Sequence, residues 1–231
     1  MSKYKYVLFD ADATLLDFKR SEYLAISKIL AELGLPAEDH VITTYSEIND
    51  SLWKLLEVGG ITKEELKTER FRRLCVHFGF DVSPELMSKM YVNALAEQSI
   101  LLDSAESVCR RLYESGIRLY VITNGIKYIQ SKRFAATPIV GYFENIFISE
   151  EIGYEKPHIE FFKKATSMIN DFDADSTIVI GDSLSSDIKG GINFGLDTCW
   201  YNPHGKKKPE DMKITYEIGK LTDILEIVGI R

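Results

Sequence analysis

Short apolar segments that each close on small or polar residues set the tightest limit on how this chain can fold. They are YKYVLFDAD (4–12), IRLYVITNG (117–125), NIFISEEIG (145–153), STIVIGDS (176–183) and DTCWYN (197–202). Unbroken apolar runs of this length suit strands buried on both faces, the habit of a parallel sheet. Helical patterns separate them. Residues 104–115 read as a helix, with Asp103 and Glu106 as an expected capping box and Gly116 as the stop. Residues 158–170 and 186–194 read the same way. Strand and helix in alternation predict an α/β fold of the doubly wound, Rossmann-like kind.

One stretch breaks the alternation. From 17 to 96 there is no convincing buried strand, and amphipathic helices are expected at 20–33, 41–57, 63–78 and 84–97. The third opens on Thr62–Glu65, a T-x-x-E capping pattern, and the fourth on Ser83-Pro84, a serine cap with proline in the first turn. An ~80-residue stretch is far too long for a crossover connection. The expectation is therefore an all-helical domain (17–96) inserted into a core made of 1–16 and 97–231.

Composition narrows the partners. A net charge of −7 argues against nucleic acid or an anionic membrane as the main partner. An anionic small molecule would need a local positive site. No apolar run approaches the ~18–20 residues of a membrane span. MSKYKYVLFD runs almost directly into an apolar strand-like segment, so no signal peptide is expected. Cys75, Cys109 and Cys199 are odd in number and widely spaced, which fits neither a disulfide framework nor a zinc site. A cytoplasmic location is expected.

In open α/β sheets the carboxyl ends of the strands build the ligand site. Four such ends carry matching chemistry here: Asp10 and Asp12, then Thr123-Asn124, then Lys156-Pro157, then Asp182 with Asp187. Asp10 and Asp12 share one face of an extended backbone and repel each other unless a cation intervenes. Carboxylates with room for water suit Mg²⁺ together with a substrate phosphate. Thr123, the Asn124 backbone N–H and Lys156 suit the phosphate oxygens.

DADAT (10–14), TNG (123–125), EKP (155–157) and GDSLSSDIKGG (181–191) resemble, in order and spacing, the four motifs of the haloacid dehalogenase superfamily. The helical stretch falls where that family carries its type-1 cap. The resemblance implies a Mg²⁺-dependent phosphatase. Asp10 would be the nucleophile that forms an aspartyl-phosphate. Asp12 would be the acid/base, its backbone carbonyl also ligating the metal. Thr123, Asn124 and Lys156 would hold the phosphoryl oxygens. Asp182 would be a metal ligand beside Asp10, and Asp187 would hold metal-bound water. A second aspartate in D-x-D points to phosphoryl transfer over dehalogenation. Alanine at 13, where the family often has Gly or Asp, predicts ordinary backbone dihedrals at that turn. LFDADATLLDF looks like the bacterial subgroup of 5′-nucleotidases acting on noncanonical pyrimidine nucleotides. That implies a nucleoside monophosphate as substrate. Phosphoglycolate or sugar-phosphate hydrolysis, and β-phosphoglucomutase-like transfer, are the rival expectations.

Other readings are weaker. Gly181-Asp182-Ser183-Leu184 spells the signature of the GDSL esterases, but the D-x-x-H of that family is absent. Gly190-Gly191 with Gly195 does not follow a strand as a dinucleotide loop must. Cys75 and His77 have no partner pair and read as packing. Tyr45, Trp53, Phe71 and Tyr91 recur at helical spacing, more in the manner of a core than a ligand surface. Lys206–Lys208 reads as a solvated loop. A receiver-like signalling module also pairs acids, Thr/Ser and Lys, but has no inserted domain and places its phosphorylated aspartate on a later strand.

Overall fold

The computed structural model describes residues 3–230. Among them, six strands form one parallel sheet: β1 (Tyr6–Phe9), β2 (Arg118–Thr123), β3 (Phe143–Ile148), β4 (Thr177–Gly181), β5 (Asp197–Tyr201) and β6 (Tyr216–Ile218). Their spatial order is β3-β2-β1-β4-β5-β6. The chain steps outward from β1 to β3, then returns to pair β4 with β1. That reversal makes a switch point between β1 and β4, where ligands bind in open α/β sheets. Phe9 stands in register with Val121 on one side and Ile180 on the other. Asp10 and Asp182 therefore leave the sheet at nearly the same level on the two sides of the crevice.

Alternate strand residues go to opposite faces. Val7, Phe9, Leu119, Val121, Ile178 and Ile180 pack with α5 (Ala105–Glu114), α6 (Lys127–Ala135) and α10 (Ile224–Ile227). Tyr6, Leu8, Tyr120, Ile122 and Val179 pack with α8 (Ile159–Ser167). The sheet is thus covered on both sides, the doubly wound arrangement predicted from the unbroken apolar runs. Between these elements lie α7 (Ser149–Ile152) and α9 (Lys189–Phe194). The third expected strand starts two residues earlier than its sequence segment and gives way at Ser149 to α7. β6 is an addition that the sequence segments do not include.

The other compact unit spans Phe18–Ser99, and the core comprises Met1–Asp17 with Ile100–Arg231. The helical unit consists of α1 (Phe18–Glu32), α2 (Asp39–Glu57), α3 (Lys63–Phe78) and α4 (Pro84–Ala96). Thr62 and Glu65 close the expected capping box at the start of α3, and Ser83 accepts from the Leu86 N–H at the start of α4. Tyr45, Phe71 and Tyr91 are fully buried and pack ring to ring at 5.3–5.5 Å, so they form core, while Trp53 is half-buried.

Two local expectations need correction. The Asp103–Glu106 capping box does not form. Ser104 takes the N-cap place of α5 with φ +70° and makes no side-chain cap, so the helix begins one residue later than that box requires. Ala13 does not use ordinary dihedrals: its φ is +62°. The left-handed turn is held by Leu15 N–H and Leu16 N–H to Ala11 O (2.9 and 2.8 Å) and by Ala13 N–H to Leu16 O (2.9 Å). Left-handed backbone costs an L-residue roughly 1–2 kcal/mol, and these bonds offset it.

Candidate active site

Asp10, Thr123 and Asp182 stand at or just past the carboxyl ends of β1, β2 and β4, Lys156 follows α7, and Asp187 lies in the helical turn after β4. Asp10 follows β1 directly, its N–H bound to Ile180 O at 2.8 Å. Lys156 precedes a cis proline and reaches back under the sheet edge. Its ammonium donates to Asp10 Oδ1 (2.7 Å), Asp187 Oδ1 (2.6 Å) and Ile122 O (2.8 Å), with the residue 1% exposed. Burial by itself would lower the Lys156 ammonium, but Asp10 and Asp187 overcome it and hold it above its ordinary value.

Two acids move the other way. Burial, then the charge of Asp187, pushes Asp10 well above the carboxylate range, with Lys156 opposing. The same two causes push Asp182 up to about 7. Ligand atoms of Asp10, Asp182 and Asp187 all lie within 4.8 Å of one another. Three buried or half-buried carboxylates crowded against each other, facing one lysine, are costly to ionise together unless a cation joins them. That is a donor set suited to a hard divalent cation. Asp187, the residue expected to hold metal-bound water, belongs to this cluster. Its oxygens are already engaged, Oδ1 by Lys156 and Oδ2 by the Ser183 N–H at 3.1 Å. Gly181 must be glycine for this to hold, since a Cβ there would stand 2.2 Å from Asp187 Oδ2. Trp200 fixes the next residue by donating from Nε1 to Asp182 O at 3.0 Å.

Thr123 is buried at the end of β2, and its hydroxyl accepts from the Gly125 N–H at 3.0 Å, leaving its proton to donate. The Asn124 side chain is turned away from this role. Its Nδ2 donates to Lys156 O (2.9 Å) and its Oδ1 accepts from Lys156 N–H (2.8 Å), tying the two loops together. Only its backbone remains for a phosphate.

The motifs do not flag two residues at the site. Gln130 and Arg133, on α6, both contact the Asp12 carboxylate: Gln130 Nε2 at 2.7 Å on Oδ2 and Arg133 Nη1 at 2.5 Å on Oδ1. A glutamine and an arginine three apart, on a helix that starts just after TNG, are the signal in the sequence. Both are fully buried, which polar side chains of this size rarely are without a partner.

The rival constellations dissolve. The Ser183 hydroxyl accepts from the Ser186 N–H and pairs with Ser185, capping the π-helical turn Leu184–Ile188, and neither partner is a base. That turn also replaces the first part of the helix expected at 186–194. Cys75 faces Val82 O and Met87, while His77 packs on Phe78. Lys206, Lys207 and Lys208 are exposed. Among the described residues no helix is long and apolar enough to cross a membrane.

Comparison with known proteins gives concordant matches. The profile of the family described as haloacid dehalogenase-like hydrolase matches residues 7–201. Pyrimidine 5′-nucleotidase PynA of Streptococcus pneumoniae is 40% identical over 96% of this chain and 94% of its own length. Pyrimidine 5′-nucleotidase YjjG of Escherichia coli is 29% identical over 98% of each. The HAD-hydrolase YfnB of Bacillus subtilis is 36% identical over 100% of this chain and 97% of its own. Its crystal structure, bound to magnesium, superposes with a TM-score of 0.94 over 99% of this chain and 100% of that one.

Proposed function

The chain belongs to the haloacid dehalogenase-like hydrolase family, and from that premise we propose that it is a Mg²⁺-dependent phosphomonoesterase acting on pyrimidine nucleoside 5′-monophosphates. The observation that carries the chemistry is Lys156, buried between Asp10 and Asp187 beside Asp182. An ammonium so placed has no structural use that a cheaper apolar residue could not serve. It belongs to a site that receives a dianion.

The residues divide the work in two displacements. An oxygen of Asp10 attacks phosphorus, and the bond to the leaving oxygen breaks as Asp12 delivers its proton there. A water then attacks the aspartyl-phosphate. Asp12 takes the water's proton, and phosphate leaves with Asp10 restored. Lys156 and Thr123, with the Asn124 backbone N–H, hold the non-bridging oxygens, and Lys156 offsets the charge on Asp10. Asp10, Asp182 and the backbone carbonyl of Asp12 would hold Mg²⁺, with Asp187 fixing the arrangement from beside Lys156. When bound, the ion neutralises charge on the phosphoryl group and orients it.

These groups address only the phosphoryl end, so they do not choose among monoesters. The substrate assignment rests on the LFDADATLLDF segment and on the two pyrimidine 5′-nucleotidases that match over nearly their whole length. It is tested by a panel of phosphate monoesters with purified protein. kcat/KM for UMP, dUMP or dTMP is expected to exceed that for AMP and GMP by at least ~10-fold, the discrimination that ~1.4 kcal/mol of differential transition-state binding gives. Activity is expected to vanish in EDTA and return with Mg²⁺. A lead for phosphoglycolate or a sugar phosphate would overturn the nucleotidase assignment, and full activity after exhaustive chelation would overturn the metal assignment.

A further inference from the structure

Asp12 is held by more than its own loop. Arg133 Nη1 reaches one carboxylate oxygen, and Gln130 Nε2 reaches the other at 2.7 Å. The same Gln130 nitrogen donates to Thr123 Oγ1 at 2.9 Å. Arg133 also meets Gln130 Oε1 at 3.3 Å. The result is a continuous chain, Arg133–Asp12–Gln130–Thr123, which joins the acid/base to a phosphoryl-oxygen contact through one amide group. Of its members only Asp12 meets solvent: its side chain is 29% exposed and that of Arg133 1%, while Gln130 and Thr123 are buried.

The backbone makes room for this chain. A Cβ on Gly125 would lie 2.6 Å from Gln130 Nε2. The glycine of TNG therefore leaves space for the bridging amide. Gln130 and Arg133 sit three residues apart on α6 and so share one helix face. A rigid helix thus presents both donors to Asp12. A carboxylate has about four lone-pair sites, and two hydrogen bonds leave others free toward the leaving oxygen.

We propose that Arg133 and Gln130 are positioning residues that fix the Asp12 carboxylate relative to Thr123, and hence to the oxygen it must protonate. This rests on the assignment of Asp12 as acid/base in the proposed function. Neither residue touches substrate. Both act through Asp12, so their loss matters most where the leaving group needs a proton.

The test compares Arg133→Gln, Arg133→Lys, Gln130→Ala and Asp12→Ala on a nucleoside monophosphate and on p-nitrophenyl phosphate, with Mg²⁺. A sugar alkoxide needs the proton, whereas p-nitrophenolate leaves without one. Arg133→Gln is expected to lower kcat/KM on the nucleotide ~100-fold, within the range of general acid catalysis, with a loss on p-nitrophenyl phosphate at least ~10-fold smaller; kcat/KM ends with departure of the leaving group, so the second displacement, which needs Asp12 for either substrate, does not enter it. Gln130→Ala should show the same split at smaller size, and Arg133→Lys should recover part of the loss. In an Asp12→Ala background, Arg133→Gln should cost less than ~2-fold more, because residues acting as one unit are not additive. Equal losses in kcat/KM on both substrates, or additive losses in the double variant, overturn the proposal. If Arg133→Gln does not fold, Gln130→Ala decides alone by its split. Absence of any monoester turnover by the unsubstituted protein would sink the proposed function instead, which keeps the two failures distinct.

Discussion

Glu22 shows what a single residue costs when burial outruns its partners. It lies in α1, 3% exposed, with Ser46 Oγ on one oxygen (2.7 Å) and Asn49 Nδ2 on the other (2.9 Å). Burial, the largest cause, raises it from the ordinary 4.5 to about 7; Asp50 adds to the rise, and Ser46, Arg70 and Asn49 oppose it. Between those values the folded state holds a proton that the unfolded chain has released. Its contribution to stability is therefore present below about 4.5 and is lost as pH rises through about 7. The difference is on the order of 3 kcal/mol. Glu22→Gln should flatten the fall in unfolding free energy between pH 5 and pH 8, as measured by urea titration without metal. An identical fall in both proteins would contradict this. Residue identity in sequence foretells such a cost poorly, because it depends on neighbours on the next two helices, Ser46, Asn49 and Asp50 on α2 and Arg70 on α3. The same reason hides Gln130 and Arg133, whose meaning comes from Asp12, more than 115 positions away. Ala13 fails differently: alanine disfavours a left-handed φ, and only the hydrogen bonds of the closed turn impose it.

At the scale of elements, local chemistry was legible wherever it closes on itself. The Thr62–Glu65 box needs only residues within one turn. Glu65 N–H donates to Thr62 Oγ1 at 3.2 Å, and Thr62 N–H to Glu65 Oε2 at 2.9 Å. Thr62→Ala should lower global stability by about 1 kcal/mol, with turnover of p-nitrophenyl phosphate unaltered; Thr62→Ser should retain most of it. Unchanged denaturant midpoints in Thr62→Ala would show that α3 is held by packing alone. The Asp103–Glu106 pattern looked equivalent, yet Ser104 at φ +70° shifts the helix start and leaves the pair out of phase. β6 has three residues, Tyr216–Ile218, too few for any alternation to register, and it forms because Cys199–Tyr201 offers an edge to pair with. The run at 145–153 carries apolar residues into α7, since periodicity alone does not separate a strand end from one helical turn.

Over the whole molecule, the order of the four strand-end motifs carries further than any element boundary. Asp10, Thr123, Lys156 and Asp182 lie up to 172 positions apart in sequence. A parallel sheet with its switch point between β1 and β4 brings the carboxyl ends of β1, β2 and β4 together whatever the exact strand limits. That is why the gathering of these residues in one place was readable when several helix and strand ends were not. The identity of the leaving group was not readable in the same way, since no strand end encodes it. The central claim is that Asp10 is the nucleophile of a phosphomonoesterase. Uncatalysed monoester hydrolysis is so slow that the enzyme must supply on the order of 20 kcal/mol, and without Asp10 the covalent route is closed. The direct measurement is p-nitrophenyl phosphate turnover by Asp10→Asn with Mg²⁺, at a confirmed native unfolding midpoint. The account predicts a loss of at least ~1,000-fold; a folded Asp10→Asn protein that keeps more than about one tenth of the activity, a deficit under ~1.4 kcal/mol, would contradict it.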